Sequence, residues 1–425
     1  MRNGIRQFLL IMMMLSLFPA FARATDGRAF DLDTLLRIID EHRLSRLEEV
    51  LPLLPEELRS SFTLQYESHG LQGASFEHPR AILFGKDARF VVSFNGHPEQ
   101  RKFNSFEIFQ FDDNQARFEF YSLDFPIRRD LNGNAIRPER NPRVCLNCHG
   151  TDPHPRWGSY AQWPGIFGAN DDCLTAQERE KLLAFRENMP ASPRYAHLRP
   201  MLGSEVSPFR EQCRQNFQFR PNDRLNILFN HLNAKRLGRL IQDSPNFRKY
   251  LLLLVASIEC SFWTDDFNNG WWEWSAADQA ALDAVLIPDL RQAHGGTVPF
   301  PDRRVQSLWN LVYLFGTSLQ DWNMAITPNA GEGPTYFDGI SFLDSHIFNA
   351  VWPVFRQMYP QFEPQYRVTR FTQLLDNPRL VQTEFDREFV LGTDEISFGA
   401  YLSAPWPTTC VDLIDAVKRA YLRTP

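Results

Sequence analysis

The spacing of apolar residues changes period along the chain. Over 31–62, Leu35, Leu36, Ile38 and Ile39 share one face at helical spacing, and Pro52 and Pro55 interrupt the pattern. Two short helices are expected. From 81 onward the apolar runs are β-branched and aromatic: AILFG (81–85), RFVVSF (89–94), SFEIFQF (105–111) and ARFEFYSLDF (116–125). Gly85-Lys86-Asp87, Asn95-Gly96 and Asp112-Asp113-Asn114 separate them as turns. In the last run Phe118, Phe120 and Ser122 alternate with Arg117, Glu119 and Tyr121, the period of a half-buried antiparallel strand. A small meander is expected.

From Arg128 to Pro164 no period is visible, and Pro, Arg and Asn dominate, which reads as ordered loop. Beyond Asp172 the pattern is helical. Thr175 and Glu178 form a capping box before EREKLLAFREN, and 222–241 carries Leu225, Leu228, Phe229, Leu232, Leu237, Leu240 and Ile241 at helix spacing. Further helices are expected at 246–260, 276–286, 303–320, 341–358 and 409–422. Eight of the ten Trp residues lie after position 260, so this region is read as a large aromatic-filled helical domain. The fold class expected is α+β: an N-terminal α+β domain (25–127) with a small antiparallel meander, a Pro/Arg-rich loop (128–172) and a mainly α-helical C-terminal domain (173–425). No repeat is visible.

The first 24 residues, MRNGIRQFLLIMMMLSLFPAFARA, read as a secretory signal peptide: Arg2 and Arg6, an apolar stretch from Phe8 to Phe18, then Ala22-Arg23-Ala24 as cleavage site. The apolar run is broken at Pro19 and falls short of the roughly 18 to 20 residues of a membrane helix. The longest later run, Leu251 to Ala256, suits a core helix, so no transmembrane segment is expected after cleavage. A periplasmic or otherwise exported protein is the expectation. Cleavage after Ala24 removes Arg2, Arg6 and Arg23 and no acid, moving the net charge from -6 to -9. That balance argues against nucleic acid as a partner. Export also changes the reading of the six cysteines. Should a cofactor take Cys145 and Cys148, then Cys173, Cys213, Cys260 and Cys410 remain for one or two disulfides in any of three pairings.

The stretch NPRVCLNCHG (141–150) lies in the aperiodic region, and its C-x-x-C-H spacing has three physical uses. Cysteines three apart lie on one side of a helical turn, where both form thioethers to haem vinyl groups and His149 reaches the iron from the same side. A redox dithiol instead wants its first cysteine at the start of a regular helix, where the dipole lowers its pKa, and Pro153 and Pro155 leave no room for a long helix. A zinc site needs two further ligands at a partner spacing, and the other cysteines are isolated. Export together with an intact motif favours haem.

CLNCH (145–149) resembles the attachment motif of c-type cytochromes. Over these five residues the resemblance implies one covalent haem c, attached after export, with Cys145 and Cys148 as thioether donors and His149 as proximal ligand. It does not extend to the small cytochrome c fold, where the motif opens near the start of a helical domain. The aromatic β segment ahead of the motif resembles, in fold only, the β-type cytochromes that carry CxxCH after their strands. The long helical region departs from those.

A haem is a flat apolar disc with two propionates. Trp157 and Trp163 supply a candidate wall, and Arg143 and Arg156 candidate propionate donors. The bland alternative, that these aromatics pin the loop to its neighbours, is compatible with that role. For the distal iron position the candidates are Met189, Met201 and His197, with His97, His154 and His231 as further histidines. A Met ligand raises the potential and suits electron transfer; an open position suits ligand binding or peroxide chemistry. His154 is too near His149 along the chain to reach the opposite face. DDFNNGWWEW (265–274) lacks the ligand spacing of a calcium loop, and NAGEGPTYFDG (329–339) lacks the lysine of a phosphate loop.

The expectation is therefore an exported monohaem c-type cytochrome that relays electrons to a redox partner protein. The alternatives are a haem-dependent oxidoreductase or small-ligand sensor with an open distal site, and an interaction protein whose CxxC is a disulfide.

Overall fold

A computed structural model describes residues 30–67, 73–155, 165–168, 174–199, 221–261, 275–302, 304–318, 351, 353–362 and 408–422. The signal segment, both rejected loops at 265–274 and 329–339, and most of the helix expected at 341–358 lie outside them.

Helix α1 (Leu32–Glu41) opens where Asp31 accepts the Thr34 N–H at 2.8 Å, and it buries Leu32, Leu35, Leu36 and Ile39. Pro52 and Pro55 then divide the chain into α2 (Leu47–Val50), a 3-10 turn (Leu51–Leu53) and α3 (Glu56–Ser60). The helical region expected to reach 62 stops there. Phe62–Gln65 is strand β1, followed by β2 (Arg80–Leu83), β3 (Phe90–Phe94), β4 (Ser105–Asp112) and β5 (Arg117–Asp124).

The five strands form one antiparallel sheet in sequence order. Its register puts Val91, Phe109 and Phe120 in one cross-strand row and Ser93, Glu107 and Ser122 in the next. A side-chain period of two then sorts the sheet into two faces. One face, with Ala81, Leu83, Val92, Phe94, Phe106, Ile108 and Tyr121, packs on α1 to α3. The other carries Ile82, Phe84, Val91, Phe111, Phe118 and Phe120. The expectation that β5 is half-buried is corrected here, because Glu119 and Tyr121 are buried too. Glu119 is satisfied by the Tyr121 Oη–H at 2.6 Å and an ion pair with Arg140 at 3.1 Å.

Helix α4 (Arg143–His149) follows the sheet, and α5 (Ala176–Asn188) begins at the expected capping box. Thr175 Oγ1 accepts the Glu178 N–H at 3.1 Å, and Glu178 accepts the Thr175 N–H at 2.8 Å. Replacing Thr175 by Ala should cost about 1 kcal/mol, read as a lowered urea midpoint at unchanged slope. No loss of stability would mean the box is idle.

Helix α6 (Pro221–Asp243) joins the two parts of the molecule. Its Leu225, Leu228, Phe229 and Leu232 cover the second sheet face, with the Phe229 and Phe109 rings 5.2 Å apart. Its Ala234, Leu237 and Ile241 enter a helical core with α7 (Phe247–Ser261), α8 (Ala276–Ala293), α9 (Leu308–Leu314) and α10 (Thr408–Tyr421). Helix α8 runs on through Pro288 beyond its expected end, and α9 is shorter than the 303–320 expected. Among the described residues no helix is long and apolar enough to cross a membrane.

Candidate functional site

The start of the 128–172 segment is ordered by α1. Arg129 pairs with Asp40 at 2.6 Å and donates to the carbonyls of Gly133 (2.9 Å) and Leu44 (2.9 Å). Further on, Asn141 lies in the left-handed region at φ 53, which Asn tolerates better than most residues. It takes the place of a strand partner for β5: its N–H donates to Phe120 O at 2.8 Å, and its Oδ1 accepts the Phe120 N–H at 2.7 Å. The next residue, Pro142, is extended, and its carbonyl accepts the N–H groups of Cys145 and Leu146.

Here the expectation of an aperiodic loop is corrected. Arg143–His149 is a short helix, stopped by Gly150 at φ 82. Pro142 and Gly150 are ordinary start and stop signals, but seven residues are too few to show a period.

On α4, Cys145 is half-buried against the core of the second sheet face, and Cys148 is exposed; both are free thiols. Burial, with the carboxylate of Glu107 and the neighbouring Cys148, pushes the Cys145 thiol up to about 11 against the opposing effect of Lys102. A dithiol nucleophile requires the reverse shift. At pH 8 the Cys145 thiol therefore stays protonated. In protein produced without haem attachment, iodoacetamide at that pH should therefore label Cys148 well before Cys145, and the rate at Cys145 should climb about tenfold per pH unit toward its folded pKa. Equal labelling at pH 8 would overturn this, read by peptide mass spectrometry.

The His149 ring lies 4.3 Å from that of Phe120 at 31°. Its Nδ1 is 2.8 Å from the carbonyl oxygen of His154. A carbonyl only accepts, so Nδ1 carries a proton, and in the neutral ring the lone pair is then on Nε2. Imidazoles that bind metals are commonly oriented in this way. His154 is buried, and its own Nδ1–H donates to Asp152 O at 2.9 Å. Among the described residues no group of three or more His, Cys, Asp or Glu side chains converges to hold an ion. The motif is thus arranged as one imidazole donor beside two thiols, rather than as a preassembled chelate.

Close by on the sheet, Glu107 forms an ion pair with Arg80, which also donates to Ser93 Oγ. The Arg80 charge, and lesser effects of His149 and Lys102, hold the Glu107 carboxyl below its usual range despite desolvation. A depressed folded pKa means that this pair stabilises the fold above the normal carboxylate range. The contribution is lost as pH falls through the folded value.

Of the other residues singled out from sequence, Arg143 is exposed as the first residue of α4. Arg156, Trp157, Trp163 and Met201 lie outside the described residues, as do Cys173 and Cys213. Met189 packs against the core of the first sheet face, and His197 precedes Leu198 of that same core, its carbonyl accepting from Arg59. Met189 thus belongs to the cluster of the first sheet face, whereas the His149 ring lies on Phe120 of the second. His97 faces His78, with ring centroids 5.6 Å apart. His231 is buried on α6, the helix that covers the His149 side. Asn141, Phe120, Glu107 and Asp152 were not marked by the sequence; only the Asn-Pro pair before the motif hinted at the first.

Compared with protein-family models, curated proteins and solved structures, the chain matches none.

Proposed function

We propose that the protein is an exported monohaem c-type cytochrome, with Cys145 and Cys148 as thioether donors and His149 as the proximal ligand. The observation that carries this reading is the Nδ1–H bond of His149 to His154 O, which turns Nε2 away from that carbonyl, on the same short helix as two free thiols. Cys145 and Cys148 would hold the haem covalently through thioethers to its two vinyl groups. When bound, the haem supplies a one-electron iron couple.

The protein's own residues supply the rest. Phe120 and the half-buried Cys145 side of α4 exclude water from one side of the imidazole. Arg143, with Arg156, is the proposed propionate donor, and Trp157 and Trp163 the proposed wall. In this reading 128–172 is the haem-binding loop, and the helical C-terminal part docks a redox partner protein. Disulfides among Cys173, Cys213, Cys260 and Cys410 belong to the same exported setting.

The test is expression of the full chain with the haem-attachment machinery. A pyridine haemochrome spectrum that survives acid acetone extraction is expected; its absence would refute the proposal. The place of Met189 in the cluster of the first sheet face, with His149 on the second, favours a second reading, a haem-dependent oxidoreductase or small-ligand sensor with an open distal position. Reduced protein should then bind carbon monoxide, and a spectrum insensitive to it would sink that reading in favour of electron transfer.

A further inference from the structure

The residues that orient His149 are themselves gripped from the helical part of the molecule. On α6, the Arg236 side chain is only 3% exposed and donates Nε–H to Asp152 Oδ2 at 2.7 Å. One turn on, Arg239 donates Nη2–H to Asp152 Oδ1 at 2.9 Å. The Asp152 carbonyl accepts the His154 Nδ1–H at 2.9 Å, with a longer contact from Arg236 Nη2 at 3.4 Å. His154 O in turn accepts the His149 Nδ1–H at 2.8 Å. An unbroken hydrogen-bonded line thus runs from α6 to the imidazole.

Each link resists displacement for a physical reason. A guanidinium as buried as Arg236 does not tolerate losing its counterion, so Asp152 is fixed where α6 puts it. Helix α6 is fixed too, because Leu228, Phe229 and Leu232 are committed to the sheet and Ala234, Leu237 and Ile241 to the helical core. His154 is buried between them, and its carbonyl points where Asp152 and the short 149–155 connection allow.

We propose that Asp152 is a positioning residue: held by Arg236 and Arg239, it sets the His154 carbonyl and thereby fixes the tautomer and direction of the His149 ring. Its importance for iron ligation rests on the haem reading above, but the relay itself concerns the imidazole alone. The helical part of the chain then has a direct hold on the site, and any partner that shifts α6 shifts the donor strength of His149.

The test separates the two claims. In full-length protein carrying Cys145→Ser and Cys148→Ser, which blocks attachment, long-range proton–nitrogen spectra of labelled histidines report each tautomer. His149 should be in the Nδ1–H form. With Asp152→Ala added it should move toward the Nε2–H form that free imidazole prefers, and Asp152→Asn, which keeps the shape and loses the charge, should lie between. A His149 resonance that stays wholly Nδ1–H in either folded variant overturns the relay. In protein with the cysteines intact, Asp152→Asn should lower the concentration of added imidazole that displaces His149 by about tenfold or more. Should haem fail to attach while the tautomer still responds, the functional reading falls and the relay stands. Haem attached with no response in tautomer or displacement leaves the function and removes the relay.

Discussion

The double variant Cys145→Ser, Cys148→Ser should fold and retain no haem after acid acetone extraction, whereas the parent should retain one per chain. No smaller effect is compatible with covalent attachment, since each thioether needs its own sulfur and the fold offers no other thiol beside His149 among the described residues. The single variants divide the effect. Cys148 is exposed, so Cys148→Ser should leave stability unchanged and the haem held by one bond. Cys145 sits against the aromatic sheet core, and placing a hydroxyl there costs about 1–3 kcal/mol of polar burial as well as its bond. Replacing His149 by Ala should preserve covalent haem and change the iron spectrum. An unchanged spectrum would remove His149 as the proximal ligand.

Phe106→Ala should destabilise the protein by about 3–5 kcal/mol, seen as a large drop in the urea midpoint. Phe106 is fully buried on the first sheet face, with the Phe125 ring 5.3 Å away at 87° and the Phe94 ring at 6.3 Å. Its face is opposite to that of His149, so at temperatures where the variant is folded the His149 tautomer should be that of the parent. A loss under about 1 kcal/mol would mean that the core relaxes into the vacated space. A changed tautomer would mean that the two faces are coupled through the sheet.

The strands after position 80 were legible because aromatic and β-branched runs with turn residues between them leave few other uses for the chain. β1 was not: in Phe62-Thr63-Leu64-Gln65 two polar side chains are buried by neighbours from distant parts of the chain, including the 165–168 segment that bonds to Leu64 and Tyr66. The same cause hid the burial of Glu119, whose partners Arg140 and Tyr121 become visible only once the chain is folded. At the candidate site, the three motif residues were singled out from spacing alone. Their support was not, because Asp152 acquires a role only when α6, far along the sequence, brings Arg236 and Arg239 to it. The distal candidates were chosen by chain distance from His149, and chain distance says nothing about which face of a sheet a residue reaches.

The strictly sequential pairing of the five strands also bears on assembly. Every strand pairs with its neighbour in sequence, and β2–β3 and β4–β5 close the shortest loops, so this part of the chain has low contact order. Local pairing alone therefore builds the strands under Cys145, and the helix beyond residue 221 then covers them. Wall first, motif helix next and α6 last is the order in which entropy cost is smallest, and Cys148 stays exposed at every stage of it.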